Sequence, residues 1–376
     1  MVLFLFKNYS INLYFDLKNK KEKMNNDIKL IRYITLRYAD PICAIDLTDK
    51  YLLYGTMLGT AACYLINQRK LITLSETQEE NISGVKIIEN KENQKENKLI
   101  VCIGDNKIFL FNSIEENLNE IPKYEEINNY PNENEHFKNC EKCFTMLKNN
   151  YLVRTFIQFP TEVKTPSSIF DTEFSIKNIQ NLNSQEIAGT IQMSNYSVPF
   201  DFDGENYVFI DFIEEKKRQF QIVNMKTQDY VLNFEIEKFK EKIGHISLLQ
   251  LLKKDMIFLV RDYNICEIRN MNFDLLKSFN INGNEILAFD ILYEDETNPE
   301  SFNIFLLDLK CNIIKYNYRR NKMDYLINLE NIDLDQVIKD QKYFSMGYPY
   351  YIKVSKQYMA ISSDYGCILL QYLNVF

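Results

Sequence analysis

Tryptophan is absent from this chain, and histidine occurs only twice, at His136 and His245. Glycine numbers ten and proline eight among 376 residues. Each scarcity closes off a kind of chemistry. Two histidines, one in a polar stretch and one after Gly244, leave little material for a Ser–His–Asp triad. The phosphate-cradling glycine loop and the dinucleotide fingerprint are both missing. Cations are short too: 44 Lys and Arg against 52 Asp and Glu give a formal net charge of −8. Nucleic acid and anionic membranes are held by clustered Lys and Arg. The dense basic stretches, Lys18–Lys23, Lys216–Arg218 and Arg319–Lys322, are brief and read as solvated turns. No nucleic-acid partner is expected.

Long apolar runs are lacking as well. Met1–Phe15 is apolar, but Lys7, Asn8 and Asn12 interrupt it and the cationic stretch follows it. A signal peptide places its charge first and ends in small residues, and a bilayer span takes about 20 apolar residues. Residues 1–27 are therefore expected to be a disordered or artefactual extension, with Met24 an alternative start, and no membrane span is expected.

What is present favours strands. Hydrophobic residues make up 46% of the chain, and 26 Phe and 25 Tyr supply the aromatic mass. Ile, Val, Phe and Tyr suit a pleated, half-buried surface. Asn, Lys and Ile are used heavily throughout, the bias of an AT-rich coding sequence such as a ciliate's, so the Asn-rich loops carry no functional signal. The eight cysteines are spread along apolar runs, as reduced core thiols are. A cytoplasmic setting is expected, since dense disulfide frameworks belong to small secreted domains.

From Ile28 onward the chain divides into short apolar strands joined by polar turns. Ile42–Leu47, Tyr51–Gly55, Thr60–Ile66 and Lys70–Leu74 make four strands linked by tight hairpins, the content of one propeller blade. Five further four-strand units follow, the cleanest being Ile246–Leu252, Met256–Arg261, Ile265–Arg269 and Leu275–Ile281. The C-terminal end supplies only three strands, Tyr350–Val354, Tyr358–Ser362 and Gly366–Tyr372. Ile28–Leu36 is a strand without a unit of its own. Pairing it with the incomplete last unit would close a ring and remove the open edges. The expected fold is all-β: a single seven-bladed β-propeller over 28–376, with 28–36 as the closing strand of the last blade.

The strand–turn–strand cores YGTMLGTAACYLI (54–66), CIGDNKIFLF (102–111), VRDYNICEI (260–268), LLDLKCNIIKY (306–316) and SSDYGCILLQY (362–372) resemble the WD40-repeat family. The resemblance covers roughly five of seven blades, at about 50 residues per blade against the family's ~40–45. It implies a propeller that holds protein partners. The Trp-Asp dipeptide is missing and Gly-His occurs only as Gly244–His245, so the family's Asp–His–Ser/Thr–Trp hydrogen-bond network does not carry over.

Candidate chemical sites are sparse. His136, Cys140 and Cys143 have the spacing of a partial metal motif, but a structural zinc site needs four ligands and no second pair exists. Neither a metal nor a cofactor is expected. Acid pairs such as Asp201 with Asp203 and Asp295 with Glu296 read as chance, and Asp203–Gly204 and Asp364–Tyr365–Gly366 as turns. No acids mark a central channel. Tyr348, Tyr350 and Tyr351 form a candidate aromatic contact patch where the chain enters its last unit. The one helix candidate is Ile332–Phe344, and the longest loop, Glu115–Asn139, is acidic and Asn-rich. The expectation is a non-catalytic interaction scaffold with one or more protein partners. A structural subunit of a large ciliary, trafficking or mitochondrial assembly is the alternative, and a propeller-channel hydrolase the remoter one.

Overall fold

The computed structural model describes residues 28–372, except 36–39, 77–79, 90–96, 104–106, 113–123, 129–139, 149–150, 159–169, 179–186, 194–195, 215–216, 240–242, 282–283, 332–348 and 365. Between 127 and 199 it describes the backbone alone. The helix candidate, most of the longest loop, His136 and Tyr348 lie outside the described residues.

The fold is all-β. Seven four-stranded antiparallel sheets follow one another along the chain. β1 (Ile28–Thr35) precedes the first consecutive sheet, formed by β2 (Ile42–Leu47), β3 (Tyr51–Thr56), β4 (Thr60–Leu65) and β5 (Lys70–Glu76). The second holds β6 (Ile82–Ile88), β7 (Lys98–Ile103), β8 (Lys107–Asn112) and β9 (Tyr124–Asn128). The third holds β10 (Cys140–Lys148), β11 (Tyr151–Gln158), β12 (Phe170–Asn178) and β13 (Ile187–Met193). In the fourth are β14 (Tyr196–Phe202), β15 (Asn206–Glu214), β16 (Lys217–Asn224) and β17 (Tyr230–Glu235). The fifth comprises β18 (Ile246–Leu252), β19 (Met256–Arg261), β20 (Ile265–Asn270) and β21 (Leu275–Asn280). β22 (Ile286–Tyr293), β23 (Phe302–Asp308), β24 (Asn312–Asn317) and β25 (Lys322–Asn328) build the sixth. In the seventh, β26 (Pro349–Val354), β27 (Tyr358–Ser363) and β28 (Gly366–Tyr372) are joined by β1, in the order β1-β28-β27-β26. β1 runs antiparallel to β28, from Ile28 opposite Tyr372 to Thr35 opposite Gly366.

Burial grades across the sheets whose side chains are described. The second strands β3, β23 and β27 are buried at every position, so both of their faces are covered and their sequences are near-continuous apolar runs. The fourth strands β17 and β21 are exposed at alternate or most positions, the pattern of a strand with one solvated face. Faces of successive sheets pack on one another through separate apolar clusters. One joins the first and second sheets through Leu53, Cys63, Ile82 and Val101. Others join the fourth to the fifth through Ile210, Phe220, Leu249 and Leu259, and the fifth to the sixth through Phe258, Ile268, Phe302 and Leu306. The sixth meets the seventh through Phe305, Ile313, Ile352 and Ile361. The seventh meets the first through Tyr54, Ala62, Ala360 and Leu369. β6 and β10 are in contact as well. Each buried Leu, Ile or Phe contributes roughly 1.5–3 kcal/mol, so these faces hold the sheets to one another. Gly55 permits a close approach between the first and second sheets. A Cβ there would lie 2.2 Å from Ile82 Cγ2.

A repeat invisible in the residue types emerges in the backbone. The first strand of all seven sheets carries a register shift against the second, near its start in six of them and near its end, between Pro199 and Asp201, in the fourth. Such bulges add local right-handed twist. Bulged Cys43, Ser83 and Ser247 each donate to a carbonyl of the neighbouring second strand, at Gly55, Cys102 and Val260.

Candidate functional site: a charged inner ring and an apolar face

The first strands of neighbouring sheets are tied together by carboxylates. Asp46 Oδ2 on β2 accepts from the Ile87 amide on β6 at 2.8 Å. Asp201 Oδ2 on β14 accepts from the Leu251 amide on β18 at 2.7 Å. Asp290 Oδ2 on β22 accepts from the Val354 amide on β26 at 2.8 Å. In each case the residue just before the donor stands at the level of the aspartate. These are Lys86, Gln250 and Lys353. Lys86 Nζ reaches Asp46 at 3.0 Å and Lys353 Nζ reaches Asp290 at 3.2 Å. First strands of consecutive sheets are thus joined by ion pairs as well as by amide bonds. Asp290 in the first place, with Asp46 and Asp201 adding to it, raises the Lys353 ammonium above its ordinary pKa against the opposing effect of burial. Carboxylates of the first, fourth and sixth sheets thus all act on one ammonium group of the seventh.

Each of these three acids is committed to an amide of the next sheet. An ionised carboxylate bonded to a backbone N–H is a strong tie, and what it does here is hold sheets in register. Among the described residues no cluster of three or more His, Cys, Asp or Glu side chains has metal-binding proximity.

A second region lies at one end of the sheets. In the first, fifth and sixth sheets the turn after the second strand is bonded to the residue that precedes the first strand: Met57 N to Pro41 O, Asp262 N to His245 O and Leu309 N to Glu285 O. All these turns therefore share one face. The large apolar side chains that remain exposed fall into two groups. Leu71, Tyr124, Tyr230, Val231, Leu275, Leu276 and Tyr325 belong to fourth strands, at the outer edge. Met57, Leu58, Tyr263, Leu309, Tyr350 and Tyr351 belong to this one face. The second group comes from the fifth, sixth, seventh and first sheets, which are consecutive neighbours by their shared clusters. Met57 keeps 54% of its surface, Tyr263 44% and Tyr351 43%.

Aspartates set the backbone beneath these side chains. Asp40 Oδ1 accepts from Leu58 N at 2.8 Å, and Asp308 Oδ1 from Lys310 N at 2.9 Å. Asp262 Oδ1 accepts from His245 N at 3.0 Å. The Tyr350 hydroxyl donates to Asp364 Oδ1. Of the sequence-predicted patch, Tyr350 sits at the β26 bulge and Tyr351 beside it, both exposed. Met57, Leu58, Tyr263 and Leu309 were missed, because nothing local distinguishes an apolar turn residue that stays exposed.

The remaining predicted features resolve as follows. Cys140 and Cys143 both belong to β10. Asp203 and Asp295 each accept amide bonds from their own turns, from Glu205 and Asn206 and from Thr297. Arg319–Lys322 forms the turn between β24 and β25. In place of the missing Trp-centred network, the fifth sheet holds a buried charged chain. Arg261 Nε and Arg269 Nε donate to the two Glu267 oxygens at 2.7 and 2.8 Å, and Arg269 Nη1 donates to Phe273 O at 2.7 Å.

No family model matches the chain, and no curated protein does. Solved structures do. The computationally designed Ika8 protein superposes with a TM-score of 0.52 at 9% identity, over 92% of this chain and 99% of that one. Chaetomium thermophilum Raptor gives 0.58 at 8% identity, over 93% of this chain, which spans 29% of the Raptor chain. A chain of the Mitotic Checkpoint Complex gives 0.55 at 9% identity, over 96% of this chain and 98% of that one. These neighbours include WD40 propeller proteins, so the likeness is one of fold.

Proposed function

We propose that the chain is a single seven-bladed, WD40-like β-propeller that serves as a protein-interaction platform and not as an enzyme. Seven sheets in series, carboxylate ties between first strands and β1 paired with β28 all support the ring. The third and fourth sheets would complete it by packing on each other. Aspartates engaged as ties between sheets favour a rigid body over a reactive channel. Buried thiols at Cys63, Cys266 and Cys367 suit a reducing compartment such as the cytoplasm.

The observation that carries the reading is the apolar face. Exposed apolar side chains scattered singly need no explanation, whereas a contiguous set marks an interaction site. Here the set spans four neighbouring sheets on turns braced from below. Replacing Leu58 and Tyr351 by Glu should leave melting unchanged and strip partners from the tagged protein purified from its own cell. An unaltered partner set, compared quantitatively with wild type, would place binding elsewhere.

A further inference from the structure

Within the proposed platform, one corner is built more specifically than the rest. Three backbone bonds, each 2.7 Å, link its residues across two sheets: Asp262 N to His245 O, Ile286 N to Tyr263 O, and Leu309 N to Glu285 O. His245, Tyr263, Glu285 and Leu309 are thereby set side by side, and all four are exposed. The His245 and Tyr263 rings stack, with centroids 5.2 Å apart and planes 14° from parallel. Asp262 lies beneath the pair, holding His245 N through Oδ1 and Arg261 through Oδ2 at 3.1 Å.

Tyr263 is an odd choice for the fold alone. Its φ is 66° and that of Asp262 is 49°, the hairpin geometry that Asn and Gly adopt most easily. A tyrosine there costs stability and keeps its ring in solvent. Among the described residues, His245 supplies its ring–ring contact.

We infer that this corner receives an arginine side chain from a basic segment of a protein partner. A flat aromatic pair offers a stacking surface, and Arg, planar and weakly hydrated, stacks where Lys does not. Glu285, exposed and adjacent in sequence to Ile286, whose amide bonds Tyr263 O, can pair with the guanidinium fork in two parallel bonds. Leu309, one step further along the ladder, and Tyr350 and Tyr351 in the next sheet take the apolar side chains flanking the arginine. The chain's net charge of −8 draws such a segment in.

The inference rests on the platform reading, and the experiment separates the two. The probe is a short fluorescein-labelled peptide alternating Arg and Leu, titrated against the full chain and followed by anisotropy. Exchanging its arginines for citrulline should weaken binding about tenfold, and for lysine about fivefold. Glu285→Gln should weaken it about fivefold. Tyr263→Asn should weaken it about tenfold while leaving melting unchanged or raised, since Asn fits the left-handed turn better. Asp255→Asn, in the β18–β19 turn at the opposite end of the same sheet, should have no effect. Equal binding of the citrulline peptide, or equal losses from Asp255→Asn and Glu285→Gln, would overturn the arginine site. If partners from the cell are lost with Leu58→Glu but withstand Tyr263→Asn and Glu285→Gln, the corner fails and the platform stands. If they withstand all three, both fail.

Discussion

The Asp46 carboxylate accepts the Ile87 amide of the next sheet at 2.8 Å, 41 residues further along the chain. The same bond recurs from Asp201 to Leu251 and from Asp290 to Val354. Three ties of one geometry between consecutive sheets make each aspartate a structural residue with a measurable share of stability.

Removing a tie leaves a buried amide without its acceptor. Asp46→Ala, Asp201→Ala and Asp290→Ala should each lower the unfolding free energy by about 2 kcal/mol. Asp290→Asn keeps an oxygen for the Val354 amide and gives up only the partly exposed ion pair to Lys353, a loss below about 1 kcal/mol. Urea titrations give the ranking. A milder effect from Ala than from Asn would rule out the tie.

Alkaline pH should unfold the protein more readily than mild acid. Burial raises Cys63, Cys266 and Cys367 above the ordinary thiol value of 9.0. It raises Tyr54 and Tyr372 above the tyrosine value of 10.0, and Tyr316 to about 12. The unfolded chain then loses protons that the folded chain keeps, so stability is intact below pH 9 and falls as pH rises through the folded values. Lys353, also raised, adds to the same loss above its ordinary 10.5. Melting temperature recorded from pH 7 to pH 11 should decline only in the upper half. A flat profile would contradict this.

Native thiols should resist alkylation. Cys63, Cys102, Cys266 and Cys367 are buried, and burial pushes the half-buried Cys43 up to about 11, so thiolate, the reactive form, is scarce. Iodoacetamide at neutral pH followed by peptide mass spectrometry should mark these positions only after denaturation. Rapid native labelling at Cys63 or Cys367 would mean that the seventh and first sheets separate.

The fifth sheet depends on Glu267. Glu267→Gln removes the carboxylate charge that pairs with Arg269, itself 2% exposed. Breaking such a pair costs about 3–5 kcal/mol. A double exchange, Glu267→Leu with Arg269→Met, should recover most of that loss in the same denaturation experiment, since the charge and its partner then leave together.

Deleting Ile28–Thr35 exposes β28 as an open edge beside buried Leu370 and Tyr372. Lower melting and concentration-dependent light scattering are the expected outcomes. Unchanged melting would sink the ring-closure proposal.

The all-β character was legible residue by residue. The half-polar LLKSFN of β21 and the mostly apolar YLLYGT of β3 already differ as a more and a less solvated strand do. The ties were not legible as ties. Yet the triplets Ile45–Asp46–Leu47, Phe200–Asp201–Phe202 and Phe289–Asp290–Ile291 each place one acid inside an apolar first strand, a signal that could have found them. Taken singly, such an acid looks accidental, because its partner is a backbone amide 41 to 64 residues away. Backbone amides have no sequence identity to read.

By itself the chain's composition and periodicity decided that it would form short strands joined by hairpins, because side-chain alternation and turn residues act over neighbours in sequence. They also placed most thiols in apolar surroundings. Tertiary structure alone decided which acids meet which amides, and which turns share a face. It alone brought His245, Tyr263, Glu285 and Leu309 into one ladder. Those relationships join residues of different strands and sheets, and they exist only once the packing of apolar faces has fixed the sheets side by side.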